Sequence, residues 1–128
     1  MRSVNEMNSI KFTYLWDKLK DPKFTTIRSW TALKEEYYRE NIGKDFQVWK
    51  AREKYPFNKE HVLFHTWLQE VRVLKPDEIP ITLLEKDVQL DGVPDAHWLT
   101  KIRNMDKAIL LIFAKQPVIT QKTLEVSD

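Results

Sequence analysis

A nearly unbroken apolar run near the end of the chain most constrains what it can fold into. Residues 108–114 read Ala-Ile-Leu-Leu-Ile-Phe-Ala. The run is much too short to span a membrane but has a typical strand length. Continuous apolar character without alternation is typical of a strand covered on both faces. We therefore predict that this segment is a central, doubly buried strand of a sheet.

The remaining hydrophobic patterns predict more strands than helices. Alternating and β-branched segments predict strands at residues 10–13, 24–28, 45–50 and 62–74. Helical spacing, with Thr31 as an N-cap and Pro94 in a first turn, predicts helices at residues 14–20, 31–41, 81–87 and 94–103. This order predicts an α+β fold, a small and partly open β-barrel with helices packed over one side.

Composition excludes several classes of protein. The 128 residues fit a single domain, and the absence of cysteine excludes a disulfide framework, a zinc ribbon and a thiol nucleophile. Three histidines without a ligand spacing predict no metal site, and we expect no cofactor. No apolar run reaches the length of a membrane span, residues 1–8 are polar without the apolar region of a signal peptide, and the absence of cysteine fits a reducing cytosol, so we expect a cytoplasmic protein. The net charge of +2 permits nucleic-acid binding without favouring it.

A short polar motif is the strongest candidate for a site. Residues 23–28 read Lys-Phe-Thr-Thr-Ile-Arg and follow Asp21-Pro22. Thr26 and Arg28 are two residues apart, so they share one face of a strand. Lys23 has the opposite parity and joins them only if residues 22–23 are still in a loop. In that arrangement Arg28 would hold a phosphate bidentately, and Lys23 would act as a point charge or as a base.

A plainer interpretation of these residues stays open. Lys23 and Arg28 would be solvated strand residues, and the threonines would be present for their β-propensity. Trp30 would either stack on a base or pack in the core. A basic loop at residues 50–59 is broken by acidic residues, which favours a solvated loop.

The motif resembles a known signature. Asp21-Pro22-Lys23-Phe24-Thr25-Thr26-Ile27-Arg28 is similar to the G-x-K-x-x-T-x-R signature of ASCH domains, with aspartate in place of the glycine. The resemblance covers residues 10–115 and implies a PUA-like mixed β-barrel. Residues 1–9 would then be a flexible N-terminus and residues 116–128 a C-terminal tail.

The resemblance also implies functions. Some ASCH domains are thought to bind RNA, so we expect RNA or a modified nucleotide in a cleft. The ligand-binding residues would be Lys23, Thr25, Thr26, Arg28 and Trp30. One branch of the family resembles an amidohydrolase acting on N4-acetylcytidine, through a lysine, a threonine and a glutamate between two helices. That alternative assigns catalysis to Lys23, Thr26 and Asp91. A third expectation is an interaction domain without a nucleic-acid ligand.

Overall fold

The computed structural model describes residues 8–50 and 62–115. The strands in these ranges are β1 (Asn8–Phe12), β2 (Lys23–Ser29), β3 (Asp45–Lys50), β4 (Val62–Leu74), β5 (Gln89–Leu90), β6 (Val93–Pro94) and β7 (Ala108–Ala114). The helices are α1 (Ala32–Glu40), α2 (Ile81–Asp87) and α3 (Ala96–Arg103), with short 3-10 helices at Asp17–Lys20 and Pro76–Glu78. The predicted loop at 52–61, most of the predicted N-terminus and the tail lie outside the described residues.

The main sheet confirms the predicted α+β class. Its strand order is β1-β3-β4-β7-β2, so the apolar strand β7 is an interior strand, and its neighbours are β4 and β2. β1 runs parallel to β3, and the other neighbours are antiparallel. The sheet is open in the part of the chain that the structure describes, because no backbone ladder joins its two edge strands, β1 and β2.

Local chemistry sets where the helices begin. Thr31 caps α1 as predicted, since its hydroxyl accepts a hydrogen bond from the Lys34 amide at 3.1 Å. The helix predicted from Pro94 begins at Ala96 instead, because the Asp95 carboxylate accepts from the Trp98 amide at 3.0 Å and caps it there. The helix predicted at 14–20 is wrong in extent, and only a 3-10 helix at 17–20 forms between two extended residues.

The core lies on both faces of β7 and holds the motif strand in place. Residues 108–111 are all buried, and the fully buried rings of Phe46 and Phe113 pack edge to face with centroids 5.3 Å apart. Every residue of β2 pairs with a residue of β7. The backbone of β2, which carries the polar motif residues, is therefore held along its whole length by the buried strand β7. No helix among the described residues is long and apolar enough to cross a membrane.

Candidate functional site

A pocket lies among β1, β2 and α3, and we call it the central pocket. Its volume is about 250 Å3. Five cationic side chains and one carboxylate line it, namely Lys11, Lys18, Arg28, Lys34, Lys101 and Asp87. This excess of positive charge in a concave, partly apolar site favours an anionic ligand.

A buried ion pair forms the floor of the pocket. Lys18 of the 3-10 helix and Asp87 at the end of α2 are 3% and 4% exposed, and their charged atoms are 2.8 Å apart. Burial lowers the pKa of Lys18 from 10.5 to about 8, although the Asp87 carboxylate opposes the shift. Lys18 therefore loses its proton at a lower pH than an ordinary lysine.

Arg28 reaches from one edge strand to the other. Its Nη2 donates to the backbone carbonyl of Lys11 in β1 at 2.9 Å, and its Nε donates to the Thr26 hydroxyl at 3.3 Å. Its guanidinium carbon lies 4.9 Å from the centroid of the Phe12 ring. Within residues 8–50 and 62–115 these two bonds leave three of its five N–H groups for a ligand. Burial lowers the pKa of Arg28, but a guanidinium stays charged at neutral pH.

Thr26 adds a buried hydroxyl to the same pocket. It is 3% exposed, and its oxygen accepts the bond from Arg28. No described residue accepts the hydrogen of this hydroxyl. A buried donor without an acceptor is unfavourable, so an acceptor atom of a ligand in the pocket would be stabilised here.

An aromatic wall stands opposite these polar groups. The rings of Trp16 and Trp98 pack edge to face with centroids 5.9 Å apart, and Tyr14 completes the cluster. Trp16 is almost completely buried, whereas Trp98 is half-buried and lines the pocket. The Lys101 ammonium lies 4.4 Å from the Trp98 centroid. Flat apolar surface beside cations suits a ligand with an aromatic ring and a negative charge.

Lys23 does not join Thr26 and Arg28, so the predicted convergence of the motif is wrong. It is the first residue of β2 and pairs with Ala114, while the Lys115 amide donates to the Pro22 carbonyl at 2.8 Å. Proline lacks an N–H but keeps its carbonyl, and the pairing therefore continues through the residues expected to form a loop. Lys23 is exposed and lines a second cavity, which we call the rear pocket.

Asp91 lies away from the central pocket. It is exposed in the turn between β5 and β6, with a positive φ of 52°. Its amide and that of Gly92 donate to the two carboxylate oxygens of Asp17, at 3.0 and 2.8 Å. The carboxylate that does reach the pocket is Asp87, which the sequence interpretation missed.

Thr25 and Trp30 flank the central pocket. Thr25 lines the rear pocket and donates its hydroxyl hydrogen to Asp87 at 2.9 Å. It therefore contacts the ion pair from the side of the rear pocket. Trp30 is half-buried just beyond β2, in a separate cavity. The structure thus brings Thr26 and Arg28 together with Lys18 and Asp87. The described residues contain no cluster of three or more groups that could hold a metal ion.

Comparison of this chain with family models, with curated proteins and with solved structures found no match. The assignment of a function therefore rests on the geometry of the site and on the resemblance of its motif.

Proposed function

We propose that this chain binds a nucleotide, free or within RNA, in the central pocket of a PUA-like barrel of the ASCH type. The observation that carries the proposal is the lining of that pocket, in which five cations face one carboxylate beside a tryptophan wall. A nucleotide combines the anionic phosphate and the aromatic base that such a lining complements. Thr26 and Arg28 also fall on the signature positions of the ASCH resemblance, which supports the same proposal.

Each part of the pocket has a role in this proposal. Arg28 offers its remaining N–H groups to the phosphate, as a planar fork that matches phosphate oxygens. Trp98 offers an aromatic surface to the base. The Thr26 hydroxyl donates to a base or sugar acceptor, and Lys18 contributes charge from the floor of the pocket.

The first test is a titration with cytidine 5′-monophosphate at several pH values. We expect binding that weakens by about tenfold between pH 7 and pH 9, because Lys18 loses its charge as the pH rises through about 8. The phosphate is already a dianion over this range, since its second pKa is about 6. Calorimetry in buffers of different ionisation enthalpy should also show proton uptake on binding near pH 8.5.

Uncharged cytidine serves as the matched ligand. It should bind more weakly and without this loss between pH 7 and pH 9. Absence of binding by the nucleotide, or an affinity equal to that of cytidine, would contradict the proposal.

A second candidate is the amidohydrolase reaction, and one observation favours it. A lysine with a pKa of about 8, a carboxylate and a threonine line the same pocket, supplied by Lys18, Asp87 and Thr26. These are the residue types that the resemblance assigned to Lys23, Asp91 and Thr26. In this reaction the Thr26 oxygen attacks the acyl carbon and neutral Lys18 takes its proton. Lys18 then gives that proton to the N4 nitrogen as the carbon–nitrogen bond breaks, so cytidine leaves with a neutral amino group. Water hydrolyses the acyl ester to acetate and restores the Thr26 hydroxyl.

Acetate release from N4-acetylcytidine tests this candidate. We expect the rate to rise with pH through about 8 and to level off above it, opposite to the nucleotide affinity, because the neutral form of Lys18 is the base. Thr26→Val should abolish release while the fold survives. The matched control is Thr66→Val, which removes another buried hydroxyl, one that bonds the Ala114 carbonyl at 3.0 Å. If the wild-type protein releases no acetate, the amidohydrolase candidate is wrong, and the proposal of nucleotide binding still stands.

A further inference from the structure

A third cavity adjoins the central pocket, and we call it the Trp30 pocket. It has a volume of about 370 Å3 and is lined by Ser29, Trp30, Met105, Asp106 and Lys107. Ser29 and Met105 line both this cavity and the central pocket. The two cavities therefore share part of their lining at the end of β2, and we call the surface that they form together the groove.

The Trp30 ring is held in a fixed orientation inside this groove. Its indole N–H donates to the Glu35 carboxylate at 2.7 Å, and its backbone N–H donates to the Lys107 carbonyl at 3.1 Å. Arg39 in turn donates to Glu35 at 2.8 Å. A half-buried ring anchored at its polar edge is a preorganised surface, so less side-chain entropy is lost when a ligand covers it.

Lysine side chains line the groove on both sides of the place where the two cavities meet. The Lys34 ammonium donates to the hydroxyl and the carbonyl of Ser29 at 3.0 and 3.2 Å, which places it at the junction. The Lys107 ammonium lies 4.2 Å from the centroid of the Trp30 ring. A lysine ammonium therefore lies over the ring of Trp98 and another over the ring of Trp30, which leaves the opposite face of each ring for a base, and Lys34 lies between them.

We propose that the two cavities are successive nucleotide subsites and that the physiological ligand is a single-stranded oligonucleotide rather than a free nucleotide. This proposal rests on nucleotide binding in the central pocket. One nucleotide occupies the central pocket, the next stacks its base on Trp30, and Lys34 meets the linking phosphate. At about 250 Å3, the central pocket alone lies near the small end of ligand sites. Stacking on Trp30 requires an unpaired base, so a duplex is excluded from the second subsite.

The experiment compares cytidine 5′-monophosphate, the dinucleotide pCpC and hexacytidylate by calorimetry at one salt concentration. The wild type should bind pCpC about tenfold more tightly than the mononucleotide, with little further gain for the hexamer beyond the statistical increase in sites. Trp30→Ala should remove that gain and leave mononucleotide affinity within about twofold, since stacking on one aromatic ring accounts for roughly 5- to 150-fold in affinity.

Further variants separate stacking from folding. Trp30→Phe keeps an aromatic face and should retain part of the gain, even though it loses the bond to Glu35. Lys107→Ala should weaken pCpC and not the mononucleotide, whereas Lys44→Ala, an exposed lysine in the turn before β3, should change neither. The wild-type length series needs no variant, so it tests the proposal even if Trp30→Ala does not fold.

Each outcome decides between the two proposals. Mononucleotide binding without any gain for pCpC overturns the second subsite and leaves the central pocket intact. Equal losses for the two ligands in folded Trp30→Ala also overturn it, because the ring would then act through the central pocket. Failure of every ligand to bind overturns both proposals.

Discussion

Replacement of Asp87 by asparagine is expected to lower the free energy of unfolding by about 3–5 kcal/mol at pH 7, the largest stability effect that we predict. Asp87 is 4% exposed and binds the ammonium of Lys18, which is 3% exposed. Asparagine keeps the shape and an acceptor for Thr25 but removes the charge. The Lys18 ammonium would then be buried without a counter-ion, or Lys18 would have to lose its proton.

The pH dependence of this effect has a definite sign. The folded pKa of Lys18, about 8, is below the unfolded value of 10.5, so between these values the unfolded chain binds more protons. Stability from this group therefore rises with pH from about 8 towards 10.5. Removing the carboxylate lowers the pKa of Lys18 further. The cost of Asp87→Asn should consequently be largest below the lowered pKa of Lys18 in the variant, shrink as the pH rises towards about 8 and level off above it, as measured by urea unfolding at a series of pH values.

Two variants separate charge from packing. Thr25→Val removes one hydrogen bond to Asp87 and leaves the ion pair, so it should cost only about 1 kcal/mol. The double variant Lys18→Met and Asp87→Leu removes both charges and should recover most of the stability lost in Asp87→Asn. A similar loss in Thr25→Val and Asp87→Asn, independent of pH, would mean that packing rather than charge holds this site together.

The strands were predictable because their signal is local. β7 is a continuous apolar run, and its interior position follows from the need to cover both of its faces. β4 has the predicted bounds, since a long alternating segment is bounded by a turn signal on its C-terminal side. The closure of the sheet was not predictable in this way, because it depends on how two edge strands distant in sequence meet.

Two of the four polar residues of the site were predictable. The difference is again whether the residues that interact are close in sequence. Thr26 and Arg28 share a strand face by parity, and both reach the central pocket. Lys18 and Asp87 are 69 residues apart, so their pairing is invisible in the sequence. A local signal for Asp87 did exist, since it lies three residues after the buried Leu84 and thus on the inward face of α2. Asp87, a carboxylate on the apolar face of a short helix, was therefore a better candidate than Asp91 in the loop between two helices.

Arg28 should be the residue on which nucleotide affinity depends most. We expect Arg28→Ala to weaken cytidine 5′-monophosphate binding by at least about 100-fold, since hydrogen bonds between charged partners contribute about 1.5–3 kcal/mol each and the guanidinium offers at least two to a phosphate. Arg28→Lys keeps the charge but not the planar fork, so it should recover only part of that loss. Calorimetric titration at fixed salt measures both variants.

Arg28 also stabilises the fold, so the binding experiment needs a control that separates a loss of stability from a loss of affinity. Its bond to the Lys11 carbonyl and its contact with Phe12 join the two edge strands, so Arg28→Ala will lower stability as well. Arg39→Ala is the matched control, because Arg39 likewise donates to a backbone carbonyl of another element, that of Val71 at 3.2 Å, outside the central pocket. It should lose stability and keep mononucleotide affinity. If folded Arg28→Ala binds the mononucleotide as tightly as Arg39→Ala does, the phosphate does not bind at Arg28. That result would contradict the proposed nucleotide site in the central pocket.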